Sequence, residues 1–63
     1  MLSKRTVYVI ESEAMPGRYY IGLTSDLPKR LDAHNAGESR HTSQYRPWRV
    51  VVAIDFASSD RAA

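Results

Sequence analysis

The chain opens on an alternating segment. From Arg5 to Ser12, Val7 and Val9 fall on one side of an extended backbone and Tyr8 and Ile10 on the other, the two-residue period of a strand. A second β-branched and aromatic run, Arg18 to Leu23, contains Tyr19-Tyr20-Ile21-Gly22. Met15-Pro16-Gly17 stands between them, and a Pro-Gly pair separating two such runs predicts a β-hairpin. The period then changes. Thr24-Ser25-Asp26 offers consecutive N-cap candidates, and Pro28 falls in the first turn, where a missing N–H does no harm. Gly37 supplies a left-handed stop after Asn35 or Ala36, and Leu27 and Leu31 form the buried stripe with Ala33 on its flank. Glu38 to Pro47 is polar and reads as a loop. Trp48 to Phe56 predicts a third strand whose Val50-Val51-Val52-Ala53-Ile54 core is apolar on both faces, the pattern of a central or covered strand. Ala57 to Ala63 reads as a cap and the first turn of another helix.

These elements predict an α+β fold in ββαβ order: a three-stranded sheet, one well-defined helix and the start of a second. The hairpin has to be antiparallel, while the helical crossover is compatible with strand three on either side of it. Residues 1–63 make one domain, and a chain of 63 residues buries only about 60% of its unfolded surface. A helix that starts and has no body suggests a domain cut short at its C-terminal helix. One sheet face would then be uncovered, which makes self-association an expectation.

Composition narrows the classes. Cysteine is absent, which removes disulfides and thiolate metal sites and fits a cytoplasmic setting. The longest apolar run, Val50 to Ile54, is far short of the ~20 residues a membrane helix needs. No long apolar stretch follows Met1-Leu2-Ser3-Lys4-Arg5, so nothing there resembles a secretory leader. Nine Lys and Arg against seven Asp and Glu give a net charge of +2, a weak indication of an anionic partner. The distribution says more. Arg18, Lys29, Arg30, Arg40, Arg46 and Arg49 concentrate in the middle of the chain, and arginine's planar fork suits phosphate.

Chemistry concentrates at the hairpin and the helix behind it. Tyr8 and Tyr20 lie on strands that a hairpin brings about 4.8 Å apart. Arg30 and His34 are one helical turn apart, so both heads can meet one object beside the sheet. The succession of Thr6-Val7-Tyr8, Tyr20-Ile21-Gly22, Asp26-Leu27, Lys29-Arg30-Leu31, His34-Asn35, Gly37 and Tyr45-Arg46-Pro47-Trp48 resembles the GIY-YIG nuclease superfamily, in particular its small stand-alone members. The likeness covers nearly the whole chain. Its second tripeptide is intact and its first keeps only the tyrosine.

The resemblance implies Mg²⁺-dependent endonucleolytic cleavage of DNA, of use in repair, recombination or mobile-element biology. It implies that Tyr8 is the general base for the attacking water, that Tyr20 positions water and phosphate, and that Arg30 stabilises charge on the phosphate. A phenol is a demanding base: with a reference pKa near 10, about one in a thousand is ionised at pH 7, a penalty of roughly 4 kcal/mol. Fixed cations around a phosphoryl group commonly return several kcal/mol. The glutamate that holds the metal in the family would lie on the later helix, beyond Ala63, so no metal ligand is expected within this chain. The expected site is therefore Tyr8, Tyr20, Arg30 and His34, with Lys29, Arg40 and Arg46 as DNA-phosphate contacts, and weak or absent cleavage by the 63-residue chain itself.

Two other classes remain open on the residues alone. One is a catalytically inactive basic nucleic-acid-binding module using the same cations. The other is a small protein-interaction fold whose basic strip meets an acidic partner. Each residue also has an ordinary reading: Arg30 could pair with Asp26, His34 could be a helix C-terminal cation with no chemical duty, Tyr19 a core or rim residue, and Trp48 a core anchor rather than a stacking platform.

Overall fold

The turn Met15-Pro16-Gly17-Arg18 sets the register of the sheet. Arg18 N–H donates to the Met15 carbonyl at 3.1 Å, and Gly17 has φ +94°. Proline in the second position and a positive-φ glycine in the third are what a type II turn requires. The structure, a computed structural model, describes the backbone from Leu2 to Ser59 and the side chains from Lys4 to Ala57. Strands β1 (Leu2–Ser12) and β2 (Tyr19–Thr24) flank the turn and pair antiparallel, Glu11 across from Tyr19, Ile10 from Tyr20 and Tyr8 from Gly22.

Helix α1 (Leu27–Asn35) begins and ends as its sequence predicts. The Asp26 carboxylate accepts from Lys29 N–H at 3.2 Å, and Pro28 lies in the first turn. At the other end Gly37 takes φ +80°, Glu38 N–H reaches the Ala33 carbonyl and Gly37 N–H the His34 carbonyl, a Schellman arrangement that only a residue without Cβ enters easily.

The segment predicted as a loop contains a further helix, the single turn α2 (Arg40–Ser43). Four polar residues are too few to show a helical period, so only tertiary contacts distinguish this turn from a loop. Thr42 is its anchor, fully buried, and its carbonyl accepts from Trp48 Nε1 at 2.8 Å. Asn35 holds the same tryptophan from the end of α1: its Oδ1 accepts from Trp48 N–H at 2.6 Å, and its Nδ2 donates to the Trp48 carbonyl at 3.2 Å.

Strand β3 (Trp48–Ser59) pairs antiparallel with β1, giving the order β2-β1-β3. The central strand is therefore β1, and the Val-rich β3 is an edge strand, contrary to the expectation from its continuous apolar run. That run arises differently. Between Val9 and Ile10 the register shifts, Val9 facing Val52 and Ile10 facing Val50, so Val51 is an extra residue. The remaining apolar positions divide between the two faces of the sheet. β3 also continues past Phe56: Ala57 pairs with Lys4 and Ser59 with Leu2, so the expected cap at 57–59 is strand. The expected first turn at 60–63 lies outside the described residues.

The sheet is covered on one side. Thr6, Tyr8, Ile10 and Ser12 of β1 turn inward there, and Tyr8, Ile10 and Trp48 form the buried core against Leu27, Leu31, Tyr20, Tyr45 and Val50. On the other side Val7 and Val9 are flanked by Leu23 and Ile21 from β2 and by Ile54 and Val52 from β3. No element among the described residues covers that face, and Ile21 and Ile54 are 69% and 58% exposed.

Candidate active site

Tyr8 is positioned by its cross-strand neighbour. Its hydroxyl lies over the bare Cα of Gly22, where any added Cβ would collide with the phenol oxygen. Tyr20 comes next along the same face of β2. Because Tyr8 faces Gly22 and Ile10 faces Tyr20, the two phenols meet diagonally, with ring centroids 6.5 Å apart and planes tilted by 38°.

Helix α1 closes the cluster from above. His34, 1% exposed, brings Nε2 to 3.0 Å from the Tyr8 hydroxyl and Nδ1 to 2.9 Å from the Thr42 hydroxyl, and its ring meets Tyr20 edge-on at 5.0 Å. Burial first, and the nearby Arg30 charge second, push the imidazole below its ordinary pKa, so it is neutral near pH 7. One turn earlier, Arg30 Nε donates to the Tyr8 hydroxyl at 3.4 Å. The guanidinium is held above its ordinary value by its hydrogen bond to Tyr8 and by that residue's charge when ionised, with Tyr20 adding in the same sense and desolvation opposing. Arg30 itself is exposed. It lines an open cleft of about 460 Å³ shared with Thr24, Ser25, Asp26, Lys29, Ala33 and Glu38.

The predicted quartet of Tyr8, Tyr20, Arg30 and His34 thus comes together. Three features of its surroundings were not read from the sequence or set aside the ordinary readings of these residues. Tyr8 is only 1% exposed, because Arg30 and His34 lie over its hydroxyl, whereas Tyr20 is half-buried. His34 is a buried neutral group rather than a cation at the helix end, and Arg30 contacts Tyr8 rather than Asp26, whose carboxylate is engaged as the helix cap. Of the cations expected on DNA, Lys29 shares the Arg30 cleft, whereas the Arg46 guanidinium packs against Gly37 and Arg40 opens α2. Trp48 is a core anchor at 4% exposure, and Tyr19 stands 55% exposed on the open face.

Sequence reading missed Thr42, whose burial depends on a one-turn helix without periodic signal, and the stacking of the Arg18 guanidinium 4.2 Å from the Tyr45 ring centroid. The described residues do not fit a Mg²⁺ ion at the tyrosines. The groups around the Tyr8 oxygen are His34, Arg30 and the Gly22 backbone, with no carboxylate among them, and a cation placed there would meet the Arg30 charge. Among the described residues, no three His, Cys, Asp or Glu side chains are grouped to hold a metal. No helix among them is long and apolar enough to cross a membrane.

A tyrosine pair on an antiparallel hairpin, one phenol hydrogen-bonded to a histidine and an arginine of the following helix, is the site that this α+β fold builds. The profile of the GIY-YIG catalytic domain matches residues 4–63, and the chain belongs to that family. Over 59 residues it is 42% identical to the structure-specific endonuclease subunit SLX1 of the yeast Scheffersomyces stipitis, covering 82% of this chain and 18% of the yeast protein. Over 60 residues it is 38% identical to a UPF0213 protein of Streptococcus pneumoniae, covering 94% of this chain and 59% of the bacterial one. A UPF0213 protein of Cupriavidus pinatubonensis is 32% identical, with 98% and 70% covered. The chain therefore spans under a fifth of the yeast relative and about three fifths of the streptococcal one. No solved structure matches it.

Proposed function

We propose that this chain is the catalytic-domain portion of a DNA endonuclease that hydrolyses phosphodiester bonds. The observation that carries the reading is the convergence of Arg30 and His34 on the Tyr8 hydroxyl, with Tyr20 alongside. In this reading Tyr8 reacts as its phenolate, its own proton having passed to solvent: water attacks phosphorus and gives its proton to the Tyr8 oxygen, the phosphorus–oxygen bond to the leaving strand end breaks with the leaving oxygen taking a proton from solvent, and Tyr20 orients the water and the phosphate. The reaction needs the Tyr8 oxygen uncovered. Arg30 is the group to move, being exposed and held to Tyr8 by a single 3.4 Å contact. A phosphate in the cleft draws the guanidinium outward, freeing the phenol and placing the cation where charge develops, an arrangement commonly worth several kcal/mol. Lys29 on the same cleft supplies a second cation, while Arg40 and Arg46, which lie outside that cleft, would contact DNA only further along its backbone.

Relatives named structure-specific endonuclease subunits support a nucleic-acid substrate chosen by its structure, while DNA as that substrate and a place in its repair enter from the family resemblance. The dependence on Mg²⁺ enters from the family resemblance, and no step above passes through the ion. Because the donor set around Tyr8 lacks a carboxylate, cleavage by the 63-residue chain alone is weak or absent. The same observation favours a second reading, a basic module that grips DNA without cutting it. The open apolar sheet face supports self-association of the isolated chain.

Incubation with branched and linear duplex DNA, with Mg²⁺ or with a chelator, tests the reading. Metal-dependent cutting that Tyr8→Phe abolishes while binding persists supports the nuclease. Salt-sensitive binding with no cutting at any protein concentration leaves the binding module. Failure to bind any nucleic acid at low salt would sink both.

A further inference from the structure

The hydrogen-bond chain Thr42–His34–Tyr8 can run in two directions, and they give His34 opposite jobs. A neutral imidazole has one N–H. If Tyr8 donates to Nε2, then Nδ1–H donates to Thr42, and His34 is the acceptor of the phenol's proton. If Thr42 donates to Nδ1, then Nε2–H donates to Tyr8, and His34 is a second donor beside Arg30. The positions of heavy atoms alone fit both.

We infer that Thr42 is a positioning residue that fixes the tautomer of His34: its hydroxyl donates to Nδ1, so that the ring carries its proton on Nε2 and donates it to the Tyr8 oxygen. The argument is one of satisfied donors. Thr42 is completely buried, and among the described residues its hydroxyl has no hydrogen-bond partner except His34 Nδ1 at 2.9 Å. Running the chain the other way leaves the threonine proton without an acceptor in a dry interior, which proteins avoid. In the inferred direction the spare proton is that of Tyr8, whose oxygen is covered by the exposed Arg30 side chain rather than by packed core alone, so a shift of that side chain would open it to an acceptor.

The threonine is held for this task. Its N–H donates to the Ser39 carbonyl, its own carbonyl accepts from Trp48 Nε1 at 2.8 Å, and Asn35 fixes the Trp48 backbone. The groups facing the imidazole are Thr42, Tyr8, Tyr20 and Arg30. None is a carboxylate that would favour a proton on Nδ1. The consequence for chemistry rests on the nuclease reading: two donors, Arg30 Nε–H and His34 Nε2–H, converge on the oxygen that takes the water's proton, and His34 does not itself receive a proton from Tyr8. The tautomer does not depend on that reading.

Two-bond ¹⁵N–¹H spectra of the intact labelled chain at pH 8 identify which ring nitrogen of His34 bears the proton. The expected result is a single Nε2–H tautomer, retained in Thr42→Ser. In Thr42→Val, Nδ1 faces a methyl group in either tautomer, and the expected result is loss of the single-tautomer spectrum in favour of a mixture. An Nδ1–H ring in the parent chain overturns the inference, as does a Thr42→Val spectrum identical to the parent's. Should the valine variant fail to fold, the parent and serine spectra still decide. The ring assignment is independent of cutting, which the 63-residue chain shows weakly or not at all; failure to bind any DNA at low salt, with the Nε2–H ring confirmed, would count against the nuclease reading alone.

Discussion

Tyr8 rests its hydroxyl on the Cα of Gly22, its partner across the first hairpin, and the space a Cβ would need is already filled by the phenol. The glycine of the Tyr-Ile-Gly tripeptide is thus required by close approach, since its backbone conformation is ordinary for a strand. Gly22→Ala has to push the ring off the sheet, and the ring cannot yield without leaving His34. We expect the variant to lose 1–3 kcal/mol, the usual range for overpacking a tight site, read as a lower urea midpoint at unchanged slope. Its DNA cutting should fall with it. A fully stable Gly22→Ala chain would mean that Tyr8 is not held in this way.

Tyr8→Phe isolates the hydroxyl from the ring. The phenyl group fills the same space over Gly22, while His34 Nε2 and Arg30 Nε lose their common partner. An unpaired buried ring nitrogen costs about 1–3 kcal/mol, so a modest loss of stability should accompany complete loss of cutting. Binding to DNA, which depends on the surface cations, should be unchanged within error. Arg30→Lys separates the two roles of charge and shape: the ammonium keeps the charge but lacks the planar fork, and whatever cutting the chain retains should fall on the order of 10²-fold with a smaller change in binding.

The parts of this fold that were legible in the sequence are those set by a few adjacent residues. Pro16-Gly17 specifies its turn because φ at each position has one cheap solution, and Asp26 and Gly37 mark the ends of α1 for equally local reasons. The convergence of Tyr8, Tyr20, Arg30 and His34 followed from the hairpin and the helical period together. What could not be read was decided by long-range pairing. Val50 to Ile54 looks the same whether β3 is central or at an edge, and the bulge at Val51 has no composition of its own. Thr42 gives no sign of burial in a polar segment, and the near-complete burial of Tyr8 depends on where the long Arg30 side chain lies.

Asn35 ties the end of α1 to the start of β3 through both backbone groups of Trp48. Asn35→Ala leaves those groups without partners at the rim of the core, where each lost bond is worth about 0.5–1.5 kcal/mol. The expected loss is on the order of 1–3 kcal/mol in denaturant unfolding, with α1 itself intact by far-ultraviolet circular dichroism. A neutral result would show that the tryptophan is seated by its ring alone.

Stability should fall in mild acid because of His34. Burial, ahead of the charge on Arg30, keeps its folded pKa below the ordinary 6.5, so the unfolded chain takes up the proton first. The stabilising contribution is complete above pH 6.5 and is lost as the pH drops through the lower folded value. Asp55 acts in the same sense further into acid, since the Thr6 hydrogen bond and then Lys4 hold its carboxyl below 3.8, although solvent screens this exposed group. The urea midpoint of the parent chain should therefore decline from pH 7 to 5, and His34→Gln, which cannot titrate, should flatten that decline. An equal slope in both chains would show that His34 titrates as it does in the unfolded state.

The uncovered sheet face makes the last expectation. Ile21 and Leu23 on one side of Val7 and Val9, and Val52, Ile54 and Phe56 on the other, stand together without a covering element among the described residues. Soluble monomers rarely leave so broad an apolar patch in water, because each 100 Å² removed from solvent contributes roughly 2.5 kcal/mol to whatever covers it. Two copies stacked face to face would remove the patch from both. Sedimentation should therefore show an average mass that rises with concentration, and the double variant Ile21→Lys with Ile54→Lys should stay monomeric, since two like charges at the centre of the joint face would have to be buried unpaired. Those side chains point away from Tyr8, Arg30 and His34, so DNA binding should survive the change. A parent chain that remains monomeric at every concentration would show that this face tolerates water unaided.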